Sequence, residues 1–263
     1  MIVDVHGHAA HAATGGVPLA DKGPVLLLVH GAGMDGTVWQ QQTRFLAHRG
    51  IRPLAVDLPG HGRSSGEPLR TISDMATWLN AFIGAAGLDQ PVHVAGHSMG
   101  TFVALQLAAN HPNQVSSMVL LGTAESMPVH PELVTTAGTD LPAAAALMAA
   151  WSFDRPAHLG LNPTPGMWML GGARALVENG RPGALSADFE AVMAYQPSTV
   201  AATVSCPVTI VIGLGDKMTT PASARALAQT LTNPKLIELA GTGHMMMLEN
   251  PRAVRSILKE TVS

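Results

Sequence analysis

The sequence predicts an α/β fold in which helices cover both faces of a mostly parallel sheet, with a helical cap inserted late in the chain. Three observations carry this expectation. Short continuous apolar runs, the kind a strand buried on both faces requires, alternate with helical patterns. That alternation stops between about residues 125 and 204 and then resumes. The composition, 47% hydrophobic against 13% charged over 263 residues, supports a sizeable core and argues against disorder.

Taken in order, Val3–Pro18 carries glycine pairs and an alternation that fit an antiparallel hairpin at one sheet edge. Strands are expected at Val25–Val29, Arg52–Val56, Pro91–Ala95, Ser117–Leu121, Val208–Ile212 and Leu236–Leu239. Helical patterns lie between them, at Val38–His48, Ile72–Ala86, Phe102–Asn110, Ala222–Leu231 and Pro251–Thr261. Strands that alternate with helices pair in parallel, because each helix supplies the crossover. Within 125–204, prolines at 128, 131, 142, 156, 163, 165, 182 and 197 cut the chain into short pieces. Pro142–Trp151, Gly166–Val177 and Ser186–Ala194 read as helices. The expected organisation is a core domain of residues 1–124 and 205–263, with 125–204 as a helical cap over the C-terminal ends of the strands.

Several function classes lose support at once. A net charge of -3 leaves no basic excess to neutralise a phosphate backbone, so no nucleic-acid partner is expected. The single cysteine, Cys206, rules out an intrachain disulfide and a Cys-rich zinc site. The first twenty residues lack the basic start of a signal peptide. The longest apolar runs, Val25–Val29 and Ala143–Trp151, are too short to span a bilayer. A cytoplasmic protein without a membrane span is expected.

The chemistry starts at Gly96-His-Ser-Met-Gly100, between an expected strand and an expected helix. A serine forced into a tight strand-to-helix turn needs neighbours without bulk two residues away on each side, and glycine supplies that. The helix N-terminus behind it offers free N–H groups to a developing oxyanion. His30-Gly-Ala-Gly33 follows the first buried strand, where a loop can aim a second N–H at the same oxygen, from Ala32 alongside Met99. A serine hydroxyl needs a base, and that base needs an orienting carboxylate. His244 follows the last strand and Asp216 the strand before it, so both share a sheet edge with Ser98. Glu125, just beyond another strand, is a rival carboxylate.

These motifs resemble the α/β-hydrolase fold superfamily, in its capped branch of esterases, C–C bond hydrolases, enol-lactonases and cofactor-free haloperoxidases. The marks are His30-Gly-Ala-Gly33, Asp57-Leu-Pro-Gly-His-Gly-Arg-Ser64, Gly96-His-Ser-Met-Gly100, Gly213-Leu-Gly-Asp216, and Gly243-His244 with Glu249-Asn-Pro251. The resemblance covers nearly the whole chain outside the cap. It implies Ser98 as nucleophile, His244 as base, Asp216 as its partner, and Ala32 and Met99 as oxyanion donors. It also implies that Asp57 and Arg63 pair structurally. Serine at the elbow, where epoxide- and halide-processing relatives carry aspartate, excludes those chemistries. Ala32-Gly33 departs from the proline-bearing loop of proline iminopeptidases, and Thr101 stands where many relatives have a second glycine.

The function expected is ester hydrolysis through an acyl-enzyme, on a small to medium apolar carboxylic ester, with no metal and no organic cofactor. The same triad serves a C–C bond hydrolase of ring-cleavage products, for which Arg155, Arg174 and Arg181 are candidate carboxylate anchors, or a lactonase or perhydrolase. A receptor for a hydrophobic ligand is the reading of another class. The expected cap supplies Met127, Met148, Trp151, Phe153, Met167, Trp168, Met169 and Met193 as apolar side chains; Trp151, Phe153 and Trp168, with Met245 beside the base, are the expected pocket. Trp39 is expected to brace the oxyanion loop or pack on the first helix. His6, His8 and His11 are expected to be solvated, and Cys206 to be an inert core thiol.

Overall fold

The computed structural model describes residues 1–20 and 22–262. Its strands are β1 Ile2–Val5, β2 His8–Ala13, β3 Val25–Val29, β4 Arg52–Val56, β5 Val92–His97, β6 Val115–Leu121, β7 Val208–Gly213 and β8 Lys235–Leu239. They form one sheet in the order β1-β2-β4-β3-β5-β6-β7-β8. The β1–β2 hairpin joins the edge antiparallel, and every pair from β4 to β8 is parallel. Parallel pairing puts the C-terminal ends of β3, β5, β7 and β8 on one edge, where open α/β sheets place their sites.

The helices of the core are α1 Gln40–Ala47, α2 Ile72–Ala85 and α3 Met99–Asn110, then, after β7, α10 Pro221–Ala228, α11 Met246–Glu249 and α12 Pro251–Thr261. β3 shows why both faces are covered. All five of its residues are buried: Leu27 and Val29 face a core shared with α2, α3 and α10, while Leu26 and Leu28 face one shared with α1 and α12. Burying such a leucine contributes roughly 1.5–3 kcal/mol, so a polar substitution on either face costs a large part of the fold's margin. Trp39 is fully buried on the α1 side, against the first helix.

Between β6 and β7 lie α4 Pro131–Thr139, α5 Leu141–Ser152, α6 Arg155–His158, α7 Met169–Glu178, α8 Ala184–Ala194 and α9 Ser198–Ala201. No strand occurs among the described residues of this interval. The sequence concealed α4, because its three threonines and a glycine have weak helix propensity. Pro131 at its first position, and buried Leu133 and Ala137 packing toward α5 and α8, hold it instead. No described helix is long and apolar enough to cross a membrane.

Candidate active site

β5 passes directly into α3 through Ser98, which sits at φ 52° and ψ -121°. A non-glycine residue there carries roughly 1–3 kcal/mol of strain and persists only where its surroundings enforce it. The neighbouring glycines show how they do. A Cβ on Gly96 would stand 2.2 Å from the Gly100 carbonyl oxygen, and one on Gly100 would stand 2.4 Å from that of Val29. The Ser98 N–H donates to the Leu121 carbonyl (2.9 Å), while its own carbonyl accepts from the Thr101 N–H (2.8 Å) and hydroxyl (2.6 Å). Thr101 therefore ties the elbow down, and its hydroxyl oxygen also lies 3.0 Å from Thr123 Oγ1.

The loops after β7 and β8 bring Asp216 to His244. Asp216 Oδ2 lies 2.8 Å from His244 Nδ1, with both side chains almost fully buried. Thr219 Oγ1 donates to the same carboxylate oxygen at 2.7 Å and lies 3.2 Å from His244 Nδ1. Asp216 Oδ1 accepts the N–H groups of Met218 and Thr219 at 2.8 and 2.9 Å. Burial alone would raise this carboxyl's pKa, but the His244 imidazole and the Thr219 donors outweigh it and hold the pKa below the usual value. Glu125 is exposed, with its N–H bonded toward Ser223, and makes no bond to His244. Gly122, at φ +64°, leaves room for the ring: a Cβ there would stand 3.0 Å from its Cε1 and Nδ1.

A second histidine supports the first. His97 Nε2 donates to the His244 carbonyl at 3.0 Å, and the two rings lie 4.7 Å apart. Full burial and the neighbouring His244 push its pKa down to about 3, so it stays neutral and props the backbone without competing for a proton. The interval between β6 and β7 also contributes. The Ser152 carbonyl, at the end of α5, accepts the N–H groups of His244 (2.8 Å) and Met245 (3.1 Å). Glu249 takes the N–H groups of Gly243 and Asp154 on its two oxygens, and burial pushes its pKa up to about 7.

The loop after β3 is held at three points. His30 Nε2 accepts the Leu58 N–H at 3.1 Å, Gly36 donates to Asp57 Oδ1 at 2.7 Å, and Gly33 donates to Asp188 Oδ2 at 2.8 Å. Among the described residues, no protein acceptor bonds the backbone N–H of Ala32 or of Met99. Ser98, His244 and Ala32 line one cavity of about 380 Å³, together with Met34, Met127, Leu133, Met148, Trp151, Phe189, Val192, Met218 and others. No hydrogen bond joins Ser98 Oγ to the imidazole, a contact that commonly tightens when substrate binds.

Three expected pocket residues lie elsewhere. Phe153 is fully buried in the core beside α1 and α12, because α5 ends at Ser152, which bonds the His244 loop, and the chain continues extended at Phe153. Met245 follows His244 and faces the opposite way, into a separate cavity of about 100 Å³ that it shares with Trp168, Met167 and Met169. Trp168 is 78% exposed and does not reach Ser98's cavity. Arg155 and Arg181 are exposed, Arg174 pairs with Glu178 at 2.6 Å, and none of the three lines that cavity, whose one cationic side chain is Lys217. Asp57 binds the backbone N–H of Arg63 at 2.9 Å, not its guanidinium, and its side-chain partner is His11 Nδ1 at 2.8 Å. His11 is accordingly largely buried and not solvated. Cys206 is partly buried, and burial raises its thiol pKa.

Asp188 and His61 escaped the sequence reading. His61 Nε2 lies 2.9 Å from Asp188 Oδ2 and its Nδ1 lies 3.0 Å from the Pro59 carbonyl. Burial lowers the His61 pKa, but the Asp188 charge and hydrogen bond, with smaller help from Pro59 and Asp57, reverse this and raise it above 6.5. The His30 ring lies against it, tilted by 48° with the centroids 4.9 Å apart, and burial and His61 itself lower its pKa. The linkage follows from the raised value: the pair's stabilisation is fully present below pH 6.5 and is lost as pH rises through the folded pKa. Asp188→Asn is expected to flatten the fall in stability above pH 6.5, checked by urea unfolding across that range. A wild-type slope retained in the variant sinks the assignment.

The alpha/beta hydrolase family model matches residues 26–257. A pimeloyl-[acyl-carrier protein] methyl ester esterase of Aromatoleum aromaticum is 31% identical over 91% of this chain and 98% of its own length. A protein of the same name from Chromobacterium violaceum is 29% identical over 87% of this chain and 90% of its own. Among solved structures, the enol-lactonase from Burkholderia xenovorans LB400 superposes with a TM-score of 0.87 over 99% of both chains, at 22% identity.

Proposed function

The chain belongs to the alpha/beta hydrolase family, and on that premise we propose that it is a carboxylic-ester hydrolase for small to medium apolar acyl groups, with Ser98, His244 and Asp216 as its triad. The observation that carries this reading is the approximately 380 Å³ cavity, lined mainly by apolar side chains, into which Ser98 and the Asp216-bound His244 both open. Ser98 Oγ attacks the ester carbonyl carbon while His244 Nε2 takes its proton, and Asp216 steadies the imidazolium through Nδ1. The carbonyl oxygen becomes an oxyanion held by the N–H groups of Ala32 and Met99, each worth about 10²–10³ in rate. The tetrahedral species collapses, the C–O bond breaks, and the alcohol leaves with the proton from His244. Water then attacks the acyl-enzyme, giving its proton to His244, and the acid departs as Ser98 is reprotonated.

Residues 125–204 serve in this reading as a cap over the core domain of residues 1–124 and 205–263. Met127, Leu133, Met148, Trp151, Phe189 and Val192 are among the side chains it contributes to the acyl cavity, supported by their place in the lining. A lactone presents the same carbonyl to the same groups, and ring opening needs no change in these steps. We place the enzyme in the cytoplasm, a setting suited to its lone thiol, Cys206.

The test is hydrolysis of p-nitrophenyl esters from acetyl to dodecanoyl. Turnover is expected to rise from acetyl through the medium acyl chains and to fall by dodecanoyl, as the chain outgrows the cavity. Absence of turnover with every ester would overturn the reading and favour a hydrophobic-ligand receptor.

A further inference from the structure

We propose that Asp188 is a positioning residue that couples occupation of the acyl cavity to the oxyanion loop, an inference that rests on the esterase reading above. Four residues of α8 carry it. Leu185, Asp188, Phe189 and Val192 fall at i, i+3, i+4 and i+7, and so share one stripe of the helix. Phe189 and Val192 line the cavity that holds Ser98. Asp188 Oδ2 accepts the Gly33 N–H at 2.8 Å, and Leu185 Cδ1 lies 2.7 Å from where a Gly33 Cβ would stand. One rigid helix therefore touches the substrate chain with one half of its stripe and the loop bearing Ala32 with the other.

The other two anchors of that loop, Leu58 on His30 and Asp57 on Gly36, come from the segment following β4. Asp188 is the anchor that comes from the interval expected to cap the site. Its side chain is fully buried, and Oδ1 has no hydrogen-bond partner. Burying a carboxylate in this way is costly unless it is paired, and His61 is the group that pairs it. A neutral residue would hold α8 in place by packing alone. A carboxylate adds a strong, directional acceptor for one chosen N–H. An acyl chain that presses on Phe189 and Val192 fixes α8, and through Asp188 fixes Gly33 and the Ala32 N–H beside it. Chain binding then shows in the rate of acylation as well as in affinity.

The experiment measures kcat and KM with p-nitrophenyl acetate, butanoate and octanoate for wild type, Asp188→Ala, Asp188→Asn and Leu185→Ala. Displacing an oxyanion donor by about 1 Å costs about 10²-fold, so Asp188→Ala is expected to lower kcat about 100-fold with KM within about threefold. It is also expected to abolish the rise of kcat with chain length seen in wild type. In Asp188→Asn the amide oxygen can take the place of Oδ2, which meets both the Gly33 N–H and His61 Nε2, so its kcat is expected within about fivefold of wild type.

If Asp188→Ala does not fold, Leu185→Ala tests the same link without leaving His61 unpaired, with about tenfold lower kcat expected. Unchanged kcat in a folded Asp188→Ala or Leu185→Ala, or a loss confined to KM, overturns the coupling. Wild type that hydrolyses none of the esters overturns instead the esterase reading beneath it.

Discussion

Ser98→Ala is expected to lower ester turnover by about 10⁶-fold while leaving the melting temperature unchanged. The size follows from how triads act: removing the nucleophile alone costs about as much as removing the whole unit, and the residue of catalysis comes from the oxyanion donors and binding. The unchanged stability follows from the backbone. Alanine keeps the Cβ that makes φ 52° strained, so the hydroxyl is the sole loss, and that hydroxyl makes no hydrogen bond in the structure. Ser98→Gly separates the two effects. It is equally inactive, but glycine tolerates this conformation and recovers about 1 kcal/mol or more, a rise of roughly 2–4 °C in a chain of this size. Turnover by purified Ser98→Ala at the wild-type rate removes the nucleophile from Ser98. A Ser98→Gly variant melting below Ser98→Ala removes the strain argument.

The elbow was legible because its requirements are local. Two glycines, a strand before and a helix after all lie within a few residues, and the steric reason for Gly96 is the Gly100 backbone within the same turn, whereas that for Gly100 is the Val29 carbonyl of the neighbouring β3. The nearness of Asp216 to His244 was legible by position, each following a parallel strand, although that Glu125 stays away from the imidazole was not. The supporting groups were hidden because their partners are distant. His61 and Asp188 are separated by 127 residues, and His97 meets His244 across 147. One signal for Asp188 was present: a charged residue in the middle of the apolar stripe of α8, where solvation alone gives no reason for it. The pocket was the least legible part. Sequence says that Phe153, Trp168 and Met245 are apolar, but which face each presents depends on where α5 ends, at Ser152, and on where α7 begins.

Asp216→Asn is expected to lower kcat by about 10⁴-fold, while Glu125→Gln leaves it within about twofold. The geometry explains the difference. Asp216 Oδ2 receives His244 Nδ1 and the Thr219 hydroxyl, and Oδ1 receives two backbone N–H groups, so asparagine must set its oxygen on the backbone pair and turn its amide N–H toward the imidazole. His244 then takes the tautomer with its proton on Nε2, which cannot accept one from Ser98. Stability should respond as well. The Asp216 pKa lies below its usual 3.8, so its stabilisation is present above that pH and is lost as pH falls through the lower folded value. Asp216→Asn therefore melts lower than wild type at neutral pH and loses this part of the acid-side decline. Glu125 is exposed and bonded to Ser223 only through its backbone, so neither readout should move when its charge is removed. If Glu125→Gln instead carries the rate loss and Asp216→Asn remains active, the carboxylate that orients His244 during turnover is not the one beside it here.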